Sequence, residues 1–350
     1  MMRRRQALLA LLGSLALAGH AAAQALVPGA AWQQRTPEDS GWSADKLRAA
    51  DAVAKSIGSD AVLVVHHGAI VHAWGDIAKP MNLYSARKSV LSMLYGIHIA
   101  RGEIDLKASL GDLGIGDKQG LSATEKTATV QQLLQARSGV YHPAAYETAG
   151  MAAERPARGS HAPGSFWYYN NWDFNALGTI FRQRTGLNVF EALDKDLAQP
   201  LQFQDFRVGE HTRFHFESAS EHPAYLMFLS ARDMARMGLL MARDGRWGDK
   251  PIVPAAWVAE STQPYSVAPH GWQGYGYLWW VPQRAWPFWT RTPGTLFFAW
   301  GNYTQVMVVD RARDLVVVHR IDGSRWFARN IDLDNLSPLF EAILAAAPQP

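Results

Sequence analysis

Ser85 and Lys88, three positions apart, carry the strongest chemical signal in this chain. They stand in Tyr84-Ser85-Ala86-Arg87-Lys88-Ser89, after a chain break at Lys79-Pro80 and just before an apolar run through Val90, Leu91, Leu94, Ile97 and Ile99. That run is apolar on almost every side, which predicts a helix inside the protein. A spacing of three puts both side chains on one helical face. A serine hydroxyl attacks poorly until a neighbour takes its proton. A lysine does so only when neutral, and burial on a helix face lowers its pKa. The helix N-terminus also favours negative charge developing nearby. Ser85 and Lys88 can therefore serve as a nucleophile and its base, while a pattern with only two fixed positions also arises by chance in chains of this length. A second copy, Ser43-Ala44-Asp45-Lys46, reads differently: Ser43 caps an exposed amphipathic helix whose Asp45 and Lys46 face water.

A second constellation follows Pro163-Gly164, in Ser165-Phe166-Trp167-Tyr168-Tyr169-Asn170-Asn171-Trp172-Asp173. A Tyr-x-Asn on a loop brings a phenol and an amide into one cleft. The phenol can relay a proton if a nearby cation lowers its pKa. The amide can bond a substrate carbonyl or hold the lysine. The residues alone leave the register open, since Tyr168-x-Asn170 and Tyr169-x-Asn171 both fit. They also allow an aromatic loop that only packs on the core. Among 14 tryptophans, Trp167, Trp172, Trp279, Trp280 and Trp300 lie near these segments and are candidates for an aromatic substrate wall. His142 and His161 sit on loops near the same cleft. His211 and His215 have i, i+4 spacing but lack the glutamate of the metalloprotease pattern, and no metal site is expected. His66, His67 and His72 belong to a hairpin, where packing accounts for them. No Gly-x-Ser-x-Gly elbow and no phosphate-binding glycine loop occurs.

The elements that must position these residues come in a clear order. A helix is expected over 43–57, strands over 60–66 and 69–74 with a turn at His67-Gly68, then the Ser85 helix. Helices follow at 128–136, 173–185, 188–197, 230–243 and 254–261. Strands return at 274–281, 296–300, 303–309 and 315–321, and a helix over 336–346 closes the series. Strands at both ends and helices between them predict an α/β (α+β) fold. Its antiparallel sheet is built from N- and C-terminal strands and flanked by terminal helices, with a mostly helical region inserted. The expected division is an irregular lead-in over 24–40 and one domain over 41–350, its α/β part 41–100 and 265–350 and its helical part 101–264.

Hydrophobic residues make up 48% of the 350 and charged residues 19%, as in a compact globular protein. Met1-Met2-Arg3-Arg4-Arg5, the apolar stretch 7–18 and Ala21-Ala22-Ala23 form a secretory signal over 1–23. That predicts a periplasmic or secreted protein with no stable membrane span after cleavage. The 34 Lys and Arg exceed the 31 Asp and Glu by the three arginines of this signal, so the mature chain is near neutral and a nucleic-acid partner is not expected. The absence of cysteine excludes thiol catalysis and Cys-type metal sites.

Taken together, Ser85-x-x-Lys88, the later Tyr-x-Asn and a strand-borne glycine near the C-terminus resemble the serine β-lactamase and penicillin-binding-protein superfamily. The similarity is closest to its class C-like branch, which includes esterases and 6-aminohexanoate-oligomer hydrolases. It spans roughly residues 42–321. In that branch a Pro-Gly turn precedes the tyrosine and a Leu-Gly follows, so Pro163-Gly164 and Leu177-Gly178 select Tyr169 and Asn171. The resemblance implies a β-lactamase/transpeptidase-like fold, catalysis by Ser85, Lys88 and Tyr169 without a cofactor, and a small ester or amide substrate. The third motif matches Ala299-Trp300-Gly301 better than Arg184-Thr185-Gly186, which reads as a helix end. By similarity the backbone N–H groups of Ser85 and Asn302 form the oxyanion hole, beside Gly301. Ala299 stands where relatives carry a cation for a substrate carboxylate, which argues against penicillin-like recognition. Arg291 is the candidate substitute.

Overall fold

Valine-rich runs from the two ends of the sequence meet in one sheet. The computed structural model describes residues 26–268, 273–283, 295–329 and 331–348. Within them eight strands lie in the order Ala69–Gly75, Ala61–His66, Leu315–Arg320, Gln305–Asp310, Leu296–Gly301, Trp280–Pro282, Gln273–Tyr275 and Ser266–Val267. Every neighbouring pair is antiparallel. Ala61 pairs with Arg320, so the first strand is closed by the last. The central strands Gln305–Asp310 and Leu315–Arg320 are buried at every position, which explains their near-continuous apolar sequence. The Ala231–Ala242 helix lies on three of these strands. It comes so close because Gly238 has no side chain: a Cβ there would stand 2.5 Å from Val316 Cγ1. The Ala44–Ser56 and Leu333–Ala346 helices pack on one another, tied by a bond from Lys46 Nζ to the Ala345 carbonyl at 2.9 Å. This is the antiparallel α/β arrangement anticipated from the order of elements.

Two local expectations need correction. The inserted region does carry the helices Val130–Leu134, Asn171–Thr185, Val189–Ala192 and Ala255–Ser261. It also supplies strands Thr212–His215 and Ala224–Leu229 to a second, three-stranded sheet with Met81–Asn82. Ala224-Tyr225-Leu226-Met227-Phe228-Leu229 is apolar throughout, so no period marks it as strand. Its position matters for the site: the Leu83 N–H donates to the Met227 carbonyl at 2.9 Å, fixing the chain just ahead of Ser85. The second correction concerns 274–281, which is not one strand. Gln273–Tyr275 and Trp280–Pro282 pair with each other across a turn in which Leu278 has φ 63°. That turn is held by tertiary partners, Leu278 N–H donating to the Leu134 carbonyl at 3.1 Å and Ser89 Oγ donating to the Leu278 carbonyl at 2.8 Å. The signal over 1–23 lies outside the described residues. Among those residues no helix is long and apolar enough to cross a membrane.

Candidate active site

Ser85 sits in a single 3₁₀ turn, Tyr84–Ala86, which opens directly into the Arg87–Ala100 helix. That helix is buried from Arg87 to His98, in line with its all-round apolar sequence. The turn is strained, for Tyr84 has φ 46°, a conformation costing a non-glycine residue about 1–2 kcal/mol. Two bonds hold it there: Tyr84 N–H donates to Asn82 Oδ1 at 2.9 Å, and Arg87 Nη1 donates to the Tyr84 carbonyl at 2.8 Å. A third constraint is steric. Gly301, the last residue of the Leu296–Gly301 strand, presses against the turn. A Cβ at that position would lie 2.3 Å from the Leu83 carbonyl oxygen and 2.9 Å from the backbone nitrogens of Ser85 and Ala86. Only glycine lets the strand approach this closely.

Lys88 faces back into the turn. Its Nζ lies 2.8 Å from Ser85 Oγ and 3.0 Å from the Tyr169 hydroxyl, with the rings of Tyr169 and Phe174 each 4.6 Å away. The residue is 1% exposed. Burial, reinforced by the charge of Arg87, holds its amine well below the ordinary lysine range. Tyr169 behaves otherwise than expected. Burial pushes its phenol up to about 12, and the contact with Ser85 and the charge of Arg87 offset only part of that rise. The arrangement thus sets an amine that burial holds below its usual range beside a phenol that burial holds above its own. Of the two possible registers, it is Tyr169 that reaches the lysine; Tyr168 donates its hydroxyl to the Met151 carbonyl at 2.7 Å.

Asn171 begins the Asn171–Thr185 helix, whose N-cap is Asn170. It touches the cleft, but its amide nitrogen donates to the Tyr146 carbonyl at 2.8 Å and does not hold Lys88. The lysine's polar partners are Ser85 and Tyr169. Beyond Gly301, Asn302 reaches the cleft, followed by Tyr303 and Thr304 at φ 56° and 46°. Two strained turns therefore frame Ser85, and the rings of Tyr84 and Tyr303 meet between them with centroids 5.3 Å apart.

The cleft is a cavity of about 830 Å³ with Ser85 on its wall. Its apolar sides come from Trp167, Tyr169, Trp280 and Trp300, with Trp280 stacked on Tyr169 at 5.5 Å and tilted against Trp300 at 5.4 Å. Three expected wall residues are not in it. Trp172 is fully buried and donates its indole N–H to Asp117 at 2.6 Å, because its place on the helix turns it into the core. Trp279 is fully buried against Phe297, one position away from the true wall residue Trp280. His142 is buried with Nε2 against Glu125 at 3.2 Å. His161 lies behind the cleft, stacked on the wall residue Phe166 at 4.0 Å. His211 and His215 do not share a helix, His215 being on the Thr212–His215 strand. Arg291 lies outside the described residues. Sequence reasoning missed Tyr84, Tyr146, Met151 and Tyr303 as lining residues. Adjacency to Ser85 and Asn302 could have suggested Tyr84 and Tyr303, whereas Tyr146 and Met151 come from a loop and a short helix without a motif.

A family model named beta-lactamase matches residues 44–327. A search of curated proteins returned no match. Among solved structures, a protein described as a 6-aminohexanoate-dimer hydrolase from Bacillus anthracis is similar at 20% identity and a TM-score of 0.67, covering 91% of this chain and 89% of its own. A family VIII carboxylesterase is similar at 17% identity and a TM-score of 0.64, with 86% of this chain and 97% of the other covered. A beta-lactamase from Mycobacterium bovis gives 19% identity and a TM-score of 0.61, with 86% and 100% covered. At these identities the likeness is one of fold.

Proposed function

The chain belongs to the beta-lactamase family, and on that premise we propose that it is an exported serine hydrolase cleaving an ester or amide through an acyl-enzyme on Ser85. The observation that carries the reading is the buried Lys88 amine, in reach of both Ser85 Oγ at 2.8 Å and the Tyr169 hydroxyl at 3.0 Å. Lys88 takes the serine proton as Oγ attacks the substrate carbonyl. Tyr169 passes a proton on to the leaving group, and the same pair then serves water in releasing the acyl group. The backbone N–H groups of Ser85 and Asn302 stabilise the oxyanion, with Gly301 giving the substrate room between them. Asn171 orients the substrate at the cleft wall. The site residues need no cofactor for this chemistry. Export rests on the basic, apolar and small-residue sequence of 1–23. The competing readings are a β-lactamase, a D-Ala-D-Ala carboxypeptidase, and a non-catalytic receptor that keeps its acyl group. Intact mass spectrometry over time, with a p-nitrophenyl ester and separately with benzylpenicillin, tests all of them. A transient adduct on Ser85 from the ester supports hydrolysis; a permanent adduct supports the receptor.

The choice of substrate follows from the cleft's charge. Ala299 is buried in its strand and does not reach the cavity, Trp300 does, and the carboxylates of Glu147 and Glu154 lie on the lining. Among the described lining residues none is a cation, so beside Trp300 a substrate carboxylate would lose water with no charge from them in return, at a cost of several kcal/mol or more than about a hundredfold in rate. Short neutral p-nitrophenyl esters should accordingly be turned over with kcat/KM at least about a hundredfold above that for benzylpenicillin. The comparison is to be repeated in Arg291→Ala. Efficient penicillin hydrolysis by the wild type overturns the preference, and its loss in the variant would locate the compensating cation.

The relay carries its own test. Tyr169→Phe should lower kcat about a hundredfold or more, while Tyr168→Phe, which frees only a carbonyl of the rim, should change it by less than about threefold. Steady-state kinetics with the same ester decide it. The reverse pattern would move the relay to Tyr168.

A further inference from the structure

One buried charge at this site has no part in the mechanism above. Arg87 precedes Lys88 on the helix and is 1% exposed. Among the described residues no carboxylate pairs with it. Its guanidinium lies over the rings of Tyr146 at 5.4 Å and Tyr225 at 5.2 Å, and Nη1 donates to the Tyr84 carbonyl at 2.8 Å. Nε and Nη2 are buried without a partner. Burying an arginine in this way is unfavourable, since an uncompensated charge keeps little of its hydration. An aliphatic side chain would fill the same place at lower cost.

Resting on the reading of Ser85 as nucleophile, we infer that Arg87 is a positioning residue of the acyl-transfer site: it pins the strained Tyr84 carbonyl at 2.8 Å and sets a buried guanidinium on the residue next to Lys88, where it disfavours a second cation. Cations on two consecutive residues of one buried helix repel through a medium that screens them little, and only the lysine can release its proton, because a guanidinium does not. The other groups facing Lys88 do not supply a countercharge. Ser85 and Tyr169 meet its amine, the ring of Phe174 lies 4.6 Å from the same amine, and Tyr275 stands edge-on behind Tyr169 at 5.8 Å. Tyr225, on the Ala224–Leu229 strand, is a phenol that burial keeps protonated. Asp173, on the Asn171–Thr185 helix, is turned to Ser138 and Asn170, and burial pushes its carboxyl well above the usual range.

The test is the pH dependence of Ser85 acylation by p-nitrophenyl butyrate in single turnover, for the wild type, Arg87→Met and Arg87→Gln. Removing the cation should move the acid limb of the rate to higher pH by about one unit or more, a loss of about tenfold on the acid side, with recovery toward the wild-type plateau at high pH. Glutamine retains a donor for the Tyr84 carbonyl, so a shared shift in both variants assigns the effect to charge. It also keeps the test alive if the methionine variant does not fold. An unmoved limb with a uniformly lower plateau would reduce Arg87 to a structural prop and overturn the inference. Failure of the wild type itself to acylate at Ser85 would instead remove the functional reading beneath it, and the two failures are distinct.

Discussion

Ser85→Ala should abolish ester hydrolysis, by about four powers of ten or more, and leave the fold standing. On the proposed function the hydroxyl is the attacking group, and among the described residues the other hydroxyl bonded to Lys88 is the phenol of Tyr169. The structural cost is small because the Tyr84–Ala86 turn is held by Asn82, Arg87 and Gly301 rather than by the serine side chain. Ser43→Ala is the matched control. Ser43 caps the Ala44–Ser56 helix by accepting from the Lys46 N–H, and Lys46 is engaged with the Ala345 carbonyl of the Leu333–Ala346 helix. Its loss should cost about 1 kcal/mol of stability or less and leave kcat untouched. Kinetics and thermal melts on both variants settle the matter, and residual activity in Ser85→Ala would sink the assignment.

Lys88→Arg should be nearly as severe, about a thousandfold or more, since arginine stays charged and cannot accept the serine proton. In the wild type the acylation rate should rise with pH as Lys88 loses its proton, at a pH well below the ordinary lysine range. The same burial has a consequence for stability. Between the depressed value of the folded lysine and the ordinary 10.5, the unfolded chain binds a proton that the folded chain lacks. Stability therefore rises with pH through that window and is penalised below it. Lys88→Met removes the penalty, so it should be inactive yet melt higher than the wild type near neutral pH. A methionine variant that is both inactive and less stable would show that Lys88 is held charged by a partner.

The contact of Ser85 with Lys88 was legible because one helical period carries both, and because the apolar run after Lys88 announces a buried helix. The sheet was legible for a similar reason, its central strands being valine-rich at both ends of the chain. The choice of Tyr169 over Tyr168 was not available from the residues, which fit both registers; it came from the resemblance. What the sequence hid was direction. Trp279 and Trp280 are neighbours, yet one enters the core and the other the cleft. Trp172 sits one residue from Asn171 but on the inward side of the helix. Proximity along the chain marks a segment, and only the helix or strand that carries it decides which side chains turn outward. The sign of the Tyr169 shift was hidden too, since it depends on how fully the phenol is buried.

The pairing of Ala61 with Arg320, and the seating of Gly301 against Leu83, also bear on how the molecule comes into being. Contacts that join such distant positions require large loops to close before they stabilise anything, which makes folding slow compared with a helical bundle. A chain emerging from its N-terminus acquires Ser85, Lys88 and Tyr169 well before the strand that presses on the nucleophile turn. Until Leu296–Gly301 docks, the left-handed Tyr84 keeps only its bonds to Asn82 and Arg87 and lacks the third of its constraints. On the proposed function, full hydrolytic power therefore arrives late, with the final strands, and a partly synthesised chain holds the candidate catalytic side chains without the complete frame around them.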